Sequence, residues 1–499
     1  MTERSDQPDS PLTSITRGAS FFAVGRVVSK VLGFFTNLLL TRTLGSGLYG
    51  IYAYGTTVLS FAAVFTDLGT DQALMKFIPE YREEPRKRDQ IVGLVTLTLL
   101  TASILASVLL YTLAPLINSF TLQQPLFVDA LRIFAVALPF KALVTGIVSS
   151  LKGLELAKYQ TFVSSIMMAI ARLVLVAFAV VLGYALQGIV TAVVLSWVVT
   201  FLVGFGLFLF RTPLRPALTR SKSRIFRLYS FSIPMTIGRL GNILQSRTDV
   251  LMVGFFLSSD AVGIYNIAVV LAGFLQLPLQ GFNQLFPSVA SRLYAEGNIT
   301  ELESVYGQVT RWTLTAILLP TLVLVIYPSE VLAVFGQDFT AGSGVLQLFA
   351  FGQLVYAAVG SSGYLLVMTE HQYLAMANQW GLGVLNVTLN YYFIQMFGVI
   401  GAALASAGLI AVVNLLTLFE IWYTEGLHPY SRSYLKPLLA GGVAGAAMYL
   451  LTTIFSNYVL LVIGSSCGVV VYTLIIASLG IEEDDKEFFE EYLPTVGLW

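Results

Sequence analysis

Apolar stretches long enough to cross a bilayer recur along almost all of this 499-residue chain. A helix needs about 20 mostly apolar residues to span the hydrocarbon core. Fourteen candidates meet that length, near 17–40, 48–66, 90–113, 129–151, 159–182, 186–210, 228–256, 261–285, 311–334, 343–368, 373–396, 399–422, 438–455 and 458–480. The seventh is long enough to be tilted or broken. Runs such as Leu173 to Leu182 are apolar on every face, and alternation at the spacing of an outer-membrane barrel does not recur. Only 11% of residues are charged, against about 25% in a soluble domain, so the polar side chains needed to coat a water-facing surface are missing. The expectation is an all-α integral membrane protein of about fourteen transmembrane helices.

Orientation follows from the cations, because Lys and Arg in short loops are retained on the cytoplasmic side. With the N-terminus inside, twenty of the 28 fall on the inner side, among them Arg4, Arg17, the group from Lys76 to Arg88, and Arg211 to Arg227. The outer loops receive only Arg42 and Arg132. Both termini are therefore expected in the cytoplasm, in a multi-pass protein of the cell membrane. No cleavable signal peptide precedes the first span, and the acidic end around Glu482 to Asp485 reads as a solvated tail.

A shift of 213 residues brings Gly25-Arg26 onto Gly238-Arg239, Gly50-Ile51-Tyr52 onto Gly263-Ile264-Tyr265, Gly188 onto Gly401 and Ala192 onto Ala405. The unit is six helices, an even number, so both copies share one orientation, as in parallel-repeat transporters. The organisation expected is a tail (1–16), an N-lobe (17–210), a basic cytoplasmic linker (211–227), a C-lobe (228–422), a cytoplasmic loop (423–437), two further helices (438–480) and the acidic tail (481–499).

Six cations remain within the spans: Arg26, Lys30, Lys141, Arg172, Arg239 and Arg247. Each costs roughly 2.5–3.5 kcal/mol to insert at mid-membrane, so such residues face a cavity, a partner or the interface. Snorkelling toward the headgroups is the competing explanation; it fits Arg26 least, about ten residues inside the first span. Arg26 and Lys30 are four apart and share a helix face. On the seventh helix Arg239 is followed by Asn242 and Ser246, with Arg247 on the flank. Asp249 either neutralises Arg247 or binds a coupling cation. Amides at helical spacing, Gln276, Gln280, Asn283 and Gln284 on the eighth span and Gln379, Asn386 and Asn390 on the eleventh, fit sugar hydroxyls or interhelical hydrogen bonds. The surplus of cations over acids points to an anionic ligand.

Other chemistries lack their residues. Cys467 alone excludes a disulfide framework, a Cys-based zinc site and an iron–sulfur cluster, and His371 and His428 are the only histidines. There is no phosphate-cradling GxxxxGK[ST] loop. No outer loop carries the paired acids of a glycosyltransferase, zero net charge argues against nucleic acid, and Asn298-Ile299-Thr300 falls on the cytoplasmic side. Neither an enzyme nor a cofactor is expected.

The stretch Arg17-Gly18-Ala19, Gly25-Arg26-Val27-Val28-Ser29-Lys30, Leu44-Gly45, Tyr49-Gly50-Ile51-Tyr52, Asp67-Leu68-Gly69 and Phe77-Ile78 resembles the N-terminal region of polysaccharide biosynthesis flippases. These belong to the multidrug/oligosaccharidyl-lipid/polysaccharide exporter superfamily, and the likeness extends loosely over all fourteen spans. It implies alternating-access export of a lipid-linked oligosaccharide or repeat unit, bearing a phosphate or pyrophosphate, across the cytoplasmic membrane. Arg26 and Arg239 would bind the phosphates, with Lys30, Lys141 and Arg247 supporting, and Asn242, Gln280 and Asn386 would meet the sugar. Partners implied are that glycan, membrane lipid, a coupling Na+ or H+, and glycan-assembly enzymes. A drug or cation antiporter of the same superfamily is the alternative, and would want acids in the cavity. A non-transporting scaffold for glycan assembly would leave the repeat and the buried arginines unexplained.

Overall fold

The computed structural model describes residues 11–480, with side chains from Val24 onward except at 242 and 244–246. The expected acidic tail, the N-terminal residues up to 10, and the side chains of Arg17, Asn242 and Ser246 lie outside the described residues. Among those described, all regular structure is helical, and eleven helices are long and apolar enough to cross a membrane. The elements are α1 (Pro11–Asp67), α2 (Thr70–Glu80), α3 (Pro85–Phe120), α4 (Pro125–Gly153), α5 (Ala157–Val181), α6 (Leu186–Arg211), α7 (Lys222–Phe256), α8 (Ser259–Phe282), α9 (Phe286–Ala295), α10 (Ile299–Ile326), α11 (Pro328–Ala333), α12 (Gln337–Met368), α13 (Gln372–Glu425), α14 (Arg432–Leu451) and α15 (Asn457–Ser478). Two of these, α1 and α13, are more than twice the length a single crossing needs. Each is bent at one glycine, Gly45 with φ 68° and Gly398 with φ 59°, a left-handed conformation that breaks the run of helical hydrogen bonds and that a side chain disfavours.

The chain forms two compact units, residues up to Gly263 and from Ile264 onward. The boundary differs from the expected joint at 211–227, and the reason is local. The segment after α6 is extended and tied across the start of α3, with Ala217 N–H on the Asp89 carbonyl at 2.9 Å and Arg215 N–H on the Asp89 carboxylate at 3.2 Å. Arg227 then binds Glu80 and the Tyr81 hydroxyl. α7 is thereby returned onto α1 and α2, and belongs to the first unit.

That unit has its core where Leu74, Phe77, Leu94, Leu151, Phe208 and Leu228 meet. Close helix approach elsewhere uses glycine, as in membrane bundles generally. A Cβ on Gly50 would sit 1.7 Å from the Ser259 carbonyl oxygen, and one on Gly263 would sit 2.2 Å from that of Ser46. These two glycines correspond under the 213-residue repeat and pack against each other, with Ser46 Oγ donating to Asp260 at 2.6 Å beside them. In the second unit Phe286, Leu293, Tyr306 and Leu365 form one core. There α14 and α15 dock on α10 and the residue after it, a Cβ on Gly441 meeting Leu318 and one on Gly464 meeting the Tyr327 hydroxyl. Leu105, Val108, Val174, Phe178, Val470 and Leu474 are exposed, an apolar exterior that only lipid can cover at low cost.

The two cations expected on the outer side lie on helices. Arg42 precedes the Gly45 bend, and Arg132 lies seven residues into α4, which starts at Pro125 rather than near 129. A proline at N1 starts that helix earlier than hydropathy alone indicates.

Candidate cation cluster in the first unit

All six cations expected within spans fall in the first unit, on four helices: Arg26 and Lys30 on α1, Lys141 on α4, Arg172 on α5, Arg239 and Arg247 on α7. Close helix contact brings α1 and α5 together at Gly25, where a Cβ would meet the Thr161 methyl at 2.3 Å. The π-helical turn Phe162–Met167 then follows in α5, ahead of Arg172. Lys30 is half-buried and repelled by Arg26 and Arg247. Lys141 is repelled by Arg172, Arg239 and Arg247 and attracted by Asp67. The cations of separate helices thus act on one another electrostatically.

One ring serves two of them. Trp197 on α6 lies 5.6 Å from Lys141 Nζ and 5.9 Å from Arg172 Cζ, both over its face. The indole offers the best aromatic face for a cation, so a single side chain offsets part of the cost of two like charges. Arg172 Nε is buried with no hydrogen-bond partner among the described residues.

Arg239 departs from the sequence expectation. Its two terminal nitrogens fork onto Asp67 and Asp71. The chain reaches this arrangement through a break between α1 and α2, where Leu68 and Gly69 both take positive φ, 46° and 70°. Gly69 N–H caps Asp67 Oδ1 at 3.1 Å, and Asp71 enters the first turn of α2, where the helix dipole favours an anion. A Cβ on Gly69 would lie 2.3 Å from the Ser232 carbonyl of α7. That contact fixes the register of α7 so that Arg239, two turns on, meets the acids. The carboxylates are buried, with 7% and 6% of their side-chain surface exposed, whereas Arg239 keeps 32%. The arginine therefore remains reachable from outside the ion pair, and Asp71 Oδ1 is left buried without a partner among the described residues. Asp67 and Asp71 join Asp249 as acids beside these cations, and the expected surplus of positive charge is reduced to six against three.

Arg247 is exposed, and Asp249 is buried with Oδ1 accepting from Val250 N–H at 2.8 Å. Asn242 lies among the undescribed side chains. Gln280 and Asn386 belong to the second unit. Gln280 donates to Gln276, which donates to Gln353, at 3.0 and 3.1 Å. Asn386 is buried and accepts from Asn390, which also reaches Ser406 on the other half of α13. These amides form hydrogen-bond ladders within the second unit's bundle.

Asp67, Asp71 and Trp197 were not singled out as site residues from sequence, Asp67 entering only as part of the resemblance. The acids carried a signal, two carboxylates four apart just beyond an apolar run, but they read as the start of a loop. Trp197 carried none, since an aromatic in a membrane helix is ordinarily packing.

The family model for polysaccharide biosynthesis protein matches residues 15–293, and that for MatE matches 234–392. The chain is 27% identical to the probable low-salt glycan biosynthesis flippase Agl15 of Haloferax volcanii over 239 residues, covering 47% of this chain and 49% of that one. It is 23% identical to the teichuronic acid biosynthesis protein TuaB of Bacillus subtilis over 403 residues, 77% and 78% of the two chains. Among solved structures, a lipid II flippase MurJ in an inward closed conformation aligns with TM-score 0.73 at 17% identity, over 95% of this chain and 99% of that one; at that identity the likeness concerns the fold.

Proposed function

This chain belongs to the polysaccharide biosynthesis protein family, and from that membership we propose that it is a membrane transporter flipping a lipid-linked oligosaccharide or polysaccharide repeat unit. Fourteen crossings are proposed, α1 and α13 counting twice and α7 crossing despite its polar residues, with both termini in the cytoplasm and the cytoplasmic membrane as its site. The observation that carries the reading is the cluster of six cations against three acids in the first unit. Such a surplus suits a phosphate or pyrophosphate, whose charge cannot cross hydrocarbon while its prenyl tail stays in lipid. Arg26, Lys30, Lys141 and Arg247 supply the attraction, and Arg239, held by Asp67 and Asp71 but one-third exposed, offers a fork suited to bidentate pairing. Gln280, Asn242 and Asn386 are proposed for the sugar, and each six-helix repeat is proposed to move as a body in alternating access. The energy source is proposed to be a coupling Na+ or H+, and glycan-assembly enzymes are proposed as partners.

The antiporter reading is favoured by one observation, the buried acid pair Asp67 and Asp71, together with the MatE match. Substitution separates the two. In a complementation assay in a strain lacking the flippase, Arg26→Ala should abolish glycan export with membrane yield unchanged, and Arg26→Lys should restore it only partly. Wild-type export by Arg26→Ala, with cation-dependent drug efflux lost in Asp67→Asn, would overturn the flippase reading in favour of the antiporter.

A further inference from the structure

A second polar site lies away from the cation cluster, at the end of the first unit that carries the α3–α4 and α5–α6 connections. A cavity of about 800 Å³ opens there between α3, α4 and α6. Its lining is graded in polarity. Asp129, Arg132, Val136 and Phe140 follow one another at helical spacing down a face of α4, and all four line it, with Tyr111 of α3 and Val194 of α6. At 1.5 Å per residue, Arg132 and Phe140 are about 12 Å apart along the helix. The groove therefore runs from an ionic end to an apolar end, the order of groups found in a lipid.

The ionic groups are set for a ligand. The Arg132 guanidinium stacks on Tyr111 at 5.2 Å, and its Nε is buried with no hydrogen-bond partner among the described residues. Asp129 Oδ2 accepts from Gln187 Nε2 at 2.9 Å, which orients the carboxylate. The terminal nitrogens of the same guanidinium carry no ion pair among the described residues, and a phosphate oxygen pairs strongly with such a cation beside hydrocarbon.

We propose that this groove binds a membrane phospholipid: its phosphodiester on Arg132, its headgroup amine or hydroxyl on Asp129, and one acyl chain along Val136, Phe140 and Val194. A phosphodiester carries one negative charge, which Arg132 balances. A pyrophosphate carries at least two, and Asp129 beside it repels the excess, so the site selects bulk phospholipid over a pyrophosphate-linked carrier. On the orientation proposed above, the lipid belongs to the outer leaflet. The site stands independently of the transport reading.

The test uses the full chain purified in detergent and native mass spectrometry during titration with dioleoylphosphatidylglycerol. Arg132→Gln should weaken the tightest bound lipid by about fivefold or more, the loss of one charge-assisted pairing. Dioleoylglycerol, which lacks the phosphate, should show no such tight binding. If Arg132→Gln does not yield folded protein, Asp129→Asn serves: it should strengthen binding of dianionic phosphatidic acid relative to phosphatidylglycerol. Unchanged lipid profiles in the variant tested would overturn the proposal, as would Arg132-dependent binding of undecaprenyl pyrophosphate tighter than that of phosphatidylglycerol.

Discussion

Removing Arg239 tests the ion-pair geometry most directly. In Arg239→Ala two carboxylates remain, Asp67 at 5% and Asp71 at 4% exposure, without the guanidinium that hydrogen-bonds to both of them. Breaking a buried pair by deleting one partner costs about 3–5 kcal/mol, because the abandoned charge stays desolvated. Every 1.4 kcal/mol is tenfold, so the folded fraction relative to unfolded should fall roughly a hundredfold to a few thousandfold. Arg239→Ala should therefore lose membrane yield and melt earlier in detergent, followed by size-exclusion chromatography of a fluorescent fusion across a temperature series. From sequence alone the same substitution is expected to abolish transport with expression intact; the acid pair changes that expectation. Arg239→Met combined with Asp67→Asn and Asp71→Asn removes all three charges at similar volume, and should recover most of the stability, since neutral replacements of buried ion pairs are often tolerated. It should still fail to transport. An Arg239→Ala protein that melts with the wild type, or a triple variant no more stable than the single one, would refute the reasoning.

Two further outcomes follow from the packing. Gly50→Val places a side chain where even a Cβ meets the Ser259 carbonyl at 1.7 Å, so α1 must move off the start of α8; folded yield should collapse, while Gly33→Ala, with open space around its Cβ, should behave as wild type in the same detergent assay. Trp197→Leu removes the ring shared by Lys141 and Arg172, at roughly 0.5–2 kcal/mol for each cation; in a double-mutant cycle for thermal stability, the cost of Trp197→Leu should shrink when Lys141→Ala is already present, and strict additivity would rule out the shared contact.

Helical membrane architecture was legible in the chain because its cause is local. An apolar run must satisfy its backbone internally, and in lipid only a helix or closed barrel does so. The cations Arg26, Lys30, Lys141, Arg172, Arg239 and Arg247 were legible for the same reason, each costly wherever the helix around it is buried. The correspondence of Gly50 with Gly263 was readable as a shared offset, though that they pack on each other was not. What only the tertiary structure decided is who faces whom. Asp67 and Asp71 read as the start of a loop because they follow directly on the apolar run expected to end near 66; their partner is 172 and 168 residues away, brought in by a glycine that lets α7 lie against the α1–α2 break. Gln280 and Asn386 suited sugar contacts and interhelical hydrogen bonds alike in sequence, and only the fold shows the amide partners each has. Arg132 looked like a loop residue, and a proline at the head of α4 carries it into the helix and onto Tyr111. Periodicity and desolvation act within a helix, so the sequence alone specified the helices and their charges. Pairing depends on how separate helices cross, and that was decided only when backbones met closely enough for glycine to matter.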